Sequence, residues 1–307
     1  MSIIVNPWNR PEEWLEHLRS ALPTEEIHAW PECPDARAVE FVVAWRMKRT
    51  DLATFTGLRA ILSLGAGAEQ WQKDGTPDVD IVRLADPAMS DEMAAYALHW
   101  VIRLQRGFDA TDDRQRRGVW AEVDYVQAAN YRVGVLGYGT IGGRIGRAFT
   151  DLGYRVNAWS RSGTDDENVQ SFRGDHELAT FLGHSDVVIN VLPNTAETTG
   201  MLDSARLSQF ADGAILINIG RGTVLSSEAD LIEALDHGPL RAAVLDVTDP
   251  EPPHSDSPLW AHAAVHLTPH IAGSTQVASA ARLVADNILR IRRGEQPFPL
   301  VDRARGY

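Results

Sequence analysis

Three side chains that could act together on a small anionic molecule each follow an apolar stretch of the sequence. Arg221 follows "LINIG", Glu251 follows "VLDVTDP" and His270 follows "HLTP". An arginine can bind a carboxylate through paired hydrogen bonds, and a histidine beside a carboxylate can donate a proton. Taken singly, they could be a turn cap, a solvated loop carboxylate and a core histidine. Taken together, they supply a cation, a carboxylate and a proton donor, so the sequence predicts a catalytic set.

The apolar stretches before these residues belong to a series of six strand candidates, at 132–137, 155–160, 186–193, 214–220, 242–247 and 264–269. Helical patterns separate several of them, at 140–152, 175–183, 203–211 and 226–237, the last with Ser226 or Ser227 as its cap. Strands of near-continuous Val, Ile, Leu and Ala are typical of a parallel sheet that is covered on both faces. The pattern predicts an α/β fold with a doubly wound, Rossmann-type domain, in which the carboxyl ends of the strands line one crevice.

The first of these strands ends in "GYGTIG", and a helical pattern follows directly. This glycine spacing is common and could be only a tight turn. Between a strand and a helix it favours dinucleotide binding, because Gly137 permits the turn, Gly139 lets the backbone approach a pyrophosphate and Gly142 lets helix and strand pack closely. Thr140 and Ile141 stand between Gly139 and Gly142 and belong to the predicted cofactor site. With a nicotinamide cofactor nearby, the three polar residues could reduce a 2-oxo acid.

The second strand ends in "AWSRSG", which contains Ser160, Arg161 and Ser162. Proteins that bind NAD usually place an Asp or Glu here, where it holds the ribose hydroxyls. A guanidinium between two hydroxyls suits a phosphate on the ribose instead. The alternative is that Arg161 is one more surface arginine in an arginine-rich chain. The sequence therefore predicts NADP(H) as the preferred cofactor, with NAD(H) possible.

Composition excludes several functional classes. The 307-residue chain has a formal net charge of −13, which argues against a nucleic-acid surface. It has no apolar run long enough to cross a membrane and no secretory start, so we expect a cytoplasmic protein without a membrane partner. The single cysteine, Cys33, allows no intrachain disulfide, and the scattered histidines predict no metal site.

The two ends of the chain predict a second, smaller α/β domain. Weaker strand candidates occur at 2–5, 40–45, 60–65 and 80–84. A long helix at 90–108 leads to a charged, aperiodic segment at 109–125, which we predict to be a loop on a surface or against a partner. A final helix at 275–294 could return the chain to the first domain. We predict a substrate-binding domain at 1–100 and 287–307, and a dinucleotide-binding domain at 101–286.

The sequence resembles the D-isomer-specific 2-hydroxyacid dehydrogenases, and within them the glyoxylate/hydroxypyruvate reductase branch. The resemblance is most specific over residues 131–275, and weaker matches extend to both ends of the chain. The motifs that carry the resemblance are "GVLGYGTIG", "VLPNTAETTGML", "INIGRGTVLSSEADLIEAL", "LDVTDPEPPHSDSPLW" and "TPHIAGST". The resemblance implies a flavodoxin-like fold for the smaller domain and a homodimer. It also implies the reduction of a short 2-oxo acid, glyoxylate or hydroxypyruvate, by NADPH.

The resemblance also implies roles for individual residues. Arg221 would bind the substrate carboxylate and polarise the keto oxygen, His270 would protonate that oxygen, and Glu251 would orient His270. Asp246 matches a position near the nicotinamide amide. Further positions that match the lining of the cofactor site are Leu192, Pro193, Thr198, Ile219 and Gly220.

On the substrate side, "LSLGAGAEQW" matches the glycine loop of the family. Gly65, Ala66 and Gly67 can offer backbone N–H groups to a carboxylate. Trp45 matches a position where bulk restricts the pocket to short substrates, although it could equally belong to the core. The sequence departs from many relatives at Ala95, where they carry a Glu, and Tyr96 follows it.

Two other functions stay open at this point. The first is a NAD(P)H-dependent reductase of bulkier 2-oxo acids. The second is a non-catalytic scaffold that senses NAD(P)H. The intact set of Arg221, Glu251 and His270 argues against the scaffold.

Overall fold

The computed structural model describes residues 2–7, 9–71 and 75–303 of the chain. Over these residues the strands are β1 (Ser2–Asn6), β2 (Glu26–Ala29), β3 (Val39–Ala44), β4 (Ala60–Ser63), β5 (Asp80–Val82), β6 (Arg132–Leu136), β7 (Arg155–Ser160), β8 (Gln170–Arg173), β9 (Val187–Asn190), β10 (Ala214–Asn218), β11 (Leu240–Leu245) and β12 (Val265–Leu267). The α-helices are α1 (Pro11–Ala21), α2 (Arg49–Leu52), α3 (Pro87–Gln105), α4 (Phe108–Arg116), α5 (Thr140–Asp151), α6 (Gly174–Gly183), α7 (Ser204–Leu207), α8 (Glu228–Asp236) and α9 (Val277–Arg292).

The chain divides into two compact units, and the first comprises Met1–Met89 and Thr275–Tyr307. Its described residues form one parallel sheet in the order β2-β1-β3-β4-β5. This is the strand order of flavodoxin-like folds, as predicted. The sequence pattern did not reveal β2, because "EIHA" is short, partly polar and paired on one side only, with β1.

The second unit, Ser90–Ser274, is built on a larger parallel sheet. Among the described residues its strand order is β12-β11-β10-β9-β6-β7-β8. Read from β8, the six strands β6 to β11 follow the Rossmann order 3-2-1-4-5-6, and β12 extends the sheet beyond β11. All six predicted strands are present. The additional edge strand β8 has three exposed residues in four, so it lacks the apolar signature of its neighbours.

The apolar strands of the second unit are covered by helices whose large side chains point into the core. Phe149 of α5 and Phe181 of α6 are fully buried, as is Leu136 at the end of β6. Because both faces of the sheet are covered in this way, β9 and β10 are buried along their whole length. The predicted fold class, a doubly wound domain with a smaller α/β domain, is confirmed.

Two predictions of local structure were wrong. The segment 109–125 was predicted to be a loop, but its first half belongs to α4. This helix has no buried residue, so it shows no apolar period; ion pairs of Arg103 with Asp109 and Asp112 hold it to α3 instead. The helix predicted at 203–211 is only the single turn α7, capped by the side chain of Asp203.

The predicted domain boundaries at 100/101 and 286/287 stay predictions. In the contact pattern the two units divide at 89/90 and 274/275. Within the described residues, none of the helices combines the length and the apolar character that a membrane span requires.

Candidate active site

The three candidate catalytic residues follow neighbouring strands of the second unit. Arg221, Glu251 and His270 come after β10, β11 and β12, which lie side by side and run parallel. Their loops therefore leave the sheet at the same edge. This is the edge at which open α/β sheets bind their ligands.

Glu251 and His270 are in direct contact. Nδ1 of His270 lies 2.9 Å from Oε1 of Glu251, and both side chains are partly exposed. The hydrogen bond fixes the imidazole ring and leaves Nε2 as the nitrogen that can act on a ligand. This geometry is that of a general acid held by a carboxylate.

The backbone of His270 has an unusual conformation. Its φ is 53°, in the left-handed region that residues with a side chain rarely adopt. Its N–H donates to the carbonyl oxygens of Asp246, at 2.9 Å, and of Thr268, at 3.0 Å. Such conformations cost about 1–3 kcal/mol and persist where the surroundings impose them.

Asp246, directly after β11, holds the loop that carries His270. Its side chain is 2% exposed. One carboxylate oxygen accepts hydrogen bonds from the Thr268 hydroxyl (2.6 Å) and the Ile271 N–H (2.8 Å), and the other accepts from the Ala272 N–H (2.8 Å). Both carboxylate oxygens of Asp246 therefore bind this loop. The sequence predicted Asp246 as a cofactor contact and did not predict this structural role.

Arg221 is positioned by its own backbone and by a buried asparagine. Its Nη1 donates to the carbonyl oxygen of Gly220 at 2.8 Å, and its carbonyl accepts a hydrogen bond from Asn218 Nδ2 at 3.0 Å. Asn218 Oδ1 also accepts from the Gly220 N–H and from Asn190 Nδ2. The turn after β10 is therefore shaped by side chains at the ends of two strands.

The cofactor candidates Leu192 and Gly220 lie against each other. A Cβ at Gly220 would fall 2.8 Å from the Leu192 carbonyl oxygen. The Leu192 N–H donates to Asn190 Oδ1 at 3.1 Å, and Thr198 Oγ1 donates to the Pro193 carbonyl at 2.6 Å. The loops after β9 and β10 are thus packed together, with Ile219 buried between β10 and Gly220.

The glycine loop has the shape that a pyrophosphate needs. Gly137 has a φ of 105°, which favours glycine, and its N–H donates to the Trp159 carbonyl of β7. Gly139 precedes α5, and a Cβ there would meet nothing within 4 Å, so the space beside its backbone is open. The first N–H groups of α5, on Thr140, Ile141 and Gly142, have no partner within the helix. These features fit the phosphates of a dinucleotide.

Ser160 is the last residue of β7, and Arg161 and Ser162 follow it in the next loop. Ser160 Oγ donates to the Gly163 carbonyl at 2.8 Å, and Arg161 and Ser162 are exposed. Further along the loop, Asp166 accepts a hydrogen bond from the Tyr138 hydroxyl at 3.0 Å. This bond ties the loop to the glycine loop, because Tyr138 stands between Gly137 and Gly139. Hydrogen bonds from the Asn168 backbone and side chain and from Tyr138 lower the pKa of Asp166.

In the first unit, the substrate candidates Trp45 and Gly65 are in contact. A Cβ at Gly65 would fall 2.5 Å from the Trp45 ring, so only glycine allows this packing. The Gly65 carbonyl accepts from the Leu84 N–H at 3.0 Å, while Ala66 and Gly67 are partly exposed in the loop after β4. The ring therefore lies directly over the glycine loop of this unit.

Three residues of the candidate site were not predicted from the sequence: Asn190, Asn218 and Tyr138. Both asparagines are fully buried at the ends of apolar strands, "VVIN" and "ILIN". A polar residue at the same place in two buried strands is a signal that could have identified them, because a buried amide must be hydrogen-bonded. Tyr138 had no such signal, since its partner is 28 residues away.

The chain is similar to known proteins of one enzyme family. The family model described as "D-isomer specific 2-hydroxyacid dehydrogenase, NAD binding domain" matches residues 98–272. The glyoxylate/hydroxypyruvate reductase A of Serratia proteamaculans (strain 568) is 38% identical over 312 residues, which cover 99% of each chain.

Solved structures are similar over the whole chain. A D-isomer specific 2-hydroxyacid dehydrogenase from Xanthobacter autotrophicus Py2, in complex with NADPH and MES, has a TM-score of 0.95 at 35% identity and covers 100% of this chain and 99% of its own. An NADPH-dependent glyoxylate/hydroxypyruvate reductase from Sinorhizobium meliloti, in complex with NADP and sulfate, has a TM-score of 0.94 at 29% identity and covers 100% of both chains.

Proposed function

Because the chain belongs to the D-isomer specific 2-hydroxyacid dehydrogenase family, it is an oxidoreductase, and we propose that it reduces glyoxylate or hydroxypyruvate with NADPH. The observation that carries this proposal is the hydrogen bond of 2.9 Å between His270 and Glu251. It provides an oriented proton donor at the strand edge where Arg221 also leaves the sheet. The similar proteins with glyoxylate/hydroxypyruvate reductase names support the choice of substrate.

In the proposed mechanism, Arg221 binds the substrate carboxylate and polarises the keto oxygen. NADPH, when bound, would supply the hydride for the keto carbon. His270 gives its proton, from Nε2, to the keto oxygen as that oxygen gains negative charge, and Glu251 keeps the ring oriented through Nδ1. The products are the 2-hydroxy acid and the oxidised cofactor.

For the cofactor, we propose NADP(H) as the preferred species and NAD(H) as a weaker one. Two serines and an arginine at the end of β7, with no carboxylate beside them, support a site for a ribose phosphate. The complexes of similar proteins with NADPH or NADP support the same choice. We assign the remaining cofactor contacts to Gly137, Gly139, Thr140, Ile141, Gly142, Leu192, Pro193, Thr198, Ile219, Gly220 and Asp246.

For the substrate, we assign binding roles to Trp45 and to the loop of Gly65, Ala66 and Gly67. The Trp45 ring over Gly65 supports a small pocket, because it occupies the space that a side chain at position 65 would need. A smaller pocket favours two-carbon and three-carbon acids.

We further propose that the protein is a homodimer. Four exposed apolar residues within 119–126, here called the apolar patch, support this: Val119, Trp120, Tyr125 and Val126. Trp120 is fully exposed. A second copy of the chain that covers the patch would bury this side chain. The cytoplasmic location stays a prediction.

The decisive experiment measures the loss of NADPH absorbance with a panel of 2-oxo acids, from glyoxylate and hydroxypyruvate to phenylpyruvate. We expect the highest kcat/KM for glyoxylate or hydroxypyruvate. A preference for phenylpyruvate would overturn the short-substrate proposal. NADPH binding without turnover of any acid would support the sensing scaffold instead.

A further inference from the structure

A tyrosine of α3 is hydrogen-bonded to the loop that carries His270. The Tyr96 hydroxyl lies 2.6 Å from Thr268 Oγ1, and Thr268 Oγ1 lies 2.6 Å from the Asp246 carboxylate. Tyr96 and Asp246 are 150 residues apart in the sequence, so only the tertiary structure brings them close together. Neither Tyr96 nor Thr268 has a part in the mechanism proposed above.

The direction of these hydrogen bonds follows from the chemistry of the three groups. The Thr268 hydroxyl donates its single hydrogen to the Asp246 carboxylate. The Thr268 oxygen must then accept the hydrogen of Tyr96. Burial raises the pKa of Tyr96 to about 12, although the hydrogen bond to Thr268 opposes this shift, so Tyr96 keeps its hydrogen at neutral pH.

This chain of hydrogen bonds acts on a loop that is under strain. Over the described residues, His270 and Arg10 are the two non-glycine residues with positive φ. The left-handed backbone of His270 persists because the carboxylate of Asp246 binds the loop on both sides of it, at Thr268 and at Ile271 and Ala272. If Thr268 turned away from Asp246, one of these attachments would be lost and the loop could relax.

We propose that Tyr96 is a positioning residue for His270, acting through Thr268 and Asp246. The hydrogen bond from Tyr96 occupies a lone pair of the Thr268 oxygen. It thereby directs the hydroxyl hydrogen of Thr268 towards Asp246. The loop is thereby held in the conformation that keeps His270 against Glu251. The catalytic consequence rests on the proposed function, whereas the effect on the imidazole ring does not.

The chain offers a matched control on the same helix. The Tyr154 hydroxyl donates to Gln105 Oε1, at the end of α3, at 2.6 Å. Tyr154→Phe therefore removes a tyrosine hydroxyl bonded to α3 without touching the His270 loop. Tyr96→Phe removes the proposed donor, Thr268→Val removes the hydroxyl while preserving the side-chain shape, and Thr268→Ser restores a hydroxyl.

The first measurement is steady-state kinetics of NADPH oxidation. We expect kcat to fall about tenfold in Tyr96→Phe and in Thr268→Val, since a small misplacement of a reacting group lowers the rate strongly. In both variants the KM for NADPH should stay within about twofold of the parent value. Thr268→Ser and Tyr154→Phe should keep the parent kcat. The kcat of the double variant Tyr96→Phe/Thr268→Val should be little lower than that of Thr268→Val, because both changes act through the same hydroxyl. A kcat in Tyr96→Phe equal to that in Tyr154→Phe would overturn the proposal.

The second measurement does not depend on turnover. Nitrogen-15 NMR of the histidine rings reports whether Nδ1 of His270 keeps its hydrogen bond to Glu251. We expect a changed His270 signal in Tyr96→Phe and Thr268→Val, and an unchanged one in Tyr154→Phe. Unchanged signals throughout would overturn the positioning role even if the enzyme is active. Changed signals in a protein that reduces no 2-oxo acid would support the positioning role and overturn the proposed function alone.

Discussion

The Cα of Gly142 lies so close to Gly137 that a Cβ on Gly142 would fall 2.0 Å from the Gly137 carbonyl oxygen. No side chain can be accommodated at that distance without moving the backbone of the glycine loop. At Gly139, in contrast, a Cβ would meet nothing within 4 Å. Gly142 is therefore required for the fold, whereas the open space at Gly139 supports its proposed role in binding a ligand.

This contrast yields the first prediction. Gly142→Ala should lower the free energy of unfolding by about 1–3 kcal/mol or more, because the added methyl group overpacks the helix against the loop. Gly139→Ala should leave it within about 1 kcal/mol of the parent but weaken NADPH binding, because the methyl group occupies the space for the pyrophosphate. Denaturant unfolding and NADPH titration measure the two effects. Equal affinity for NADPH in Gly139→Ala and the parent would contradict the assignment.

The second prediction concerns cofactor preference. Arg161→Ala should raise the KM for NADPH about 10- to 100-fold, since a charged hydrogen bond contributes about 1.5–3 kcal/mol. The KM for NADH should change little, because NADH has no ribose phosphate. Arg155→Ala, at the opposite end of β7, is the matched control and should change neither value. If the KM values for NADPH and for NADH rose equally in Arg161→Ala, the side chain would not be a specific contact of the ribose phosphate.

The third prediction concerns the catalytic set. His270→Ala should lower kcat about 10²- to 10⁴-fold, because the proton donor is lost. Arg221→Ala should lower kcat/KM about 10²- to 10³-fold, because the charge on the keto oxygen loses its donor. His262→Ala is a suitable control, since His262 pairs with Asp236 instead. Near-parent turnover in either catalytic variant would refute its assigned role.

The fourth prediction concerns stability against pH. Burial lowers the pKa of His266, with Arg103 acting in the same direction and Asp109 opposing it. The folded protein therefore takes up this proton less readily than the unfolded chain does, so stability from this group is present above the ordinary histidine pKa and is lost as pH falls below it. His266→Gln should lose less stability than the parent between pH 7.5 and pH 5.5, as measured by thermal unfolding.

The control for this pH effect is His176→Gln. The His176 side chain is 72% exposed, so its replacement should leave the pH dependence of the parent unchanged. If His266→Gln loses as much stability on acidification as His176→Gln does, the buried histidine does not contribute to the acid sensitivity.

The fifth prediction concerns the homodimer. At micromolar concentration the parent should sediment as a dimer, and Trp120→Ala should shift it towards monomer, because a fully exposed tryptophan at the patch is a candidate anchor. Trp260→Ala removes another exposed tryptophan and should leave the dimer intact. A monomeric parent would contradict the homodimer proposal outright.

Much of the fold could be predicted from the sequence because buried parallel strands have a strong apolar signature. All six strands predicted for the second unit are present, and the Ser227 side chain caps α8, one of the two residues proposed for that role. Elements without that signature were missed. Strands β2 and β8 are short edge strands, and α4 is polar on every side and held by ion pairs of Arg103.

The candidate site, like the fold, could be predicted only in part from the sequence. The sequence by itself determined which residue types stand after which strands, because the alternation of strands and helices sends those residues to one edge of the sheet. It could not determine which side chains touch. The hydrogen bonds of His270 with Glu251, of Thr268 with Asp246 and of Tyr96 with Thr268 depend on loop conformations that arise only when distant strands and helices pack together. Tertiary structure alone decided these contacts, because the partners are brought within bonding distance by the sheet and not by their spacing in the chain.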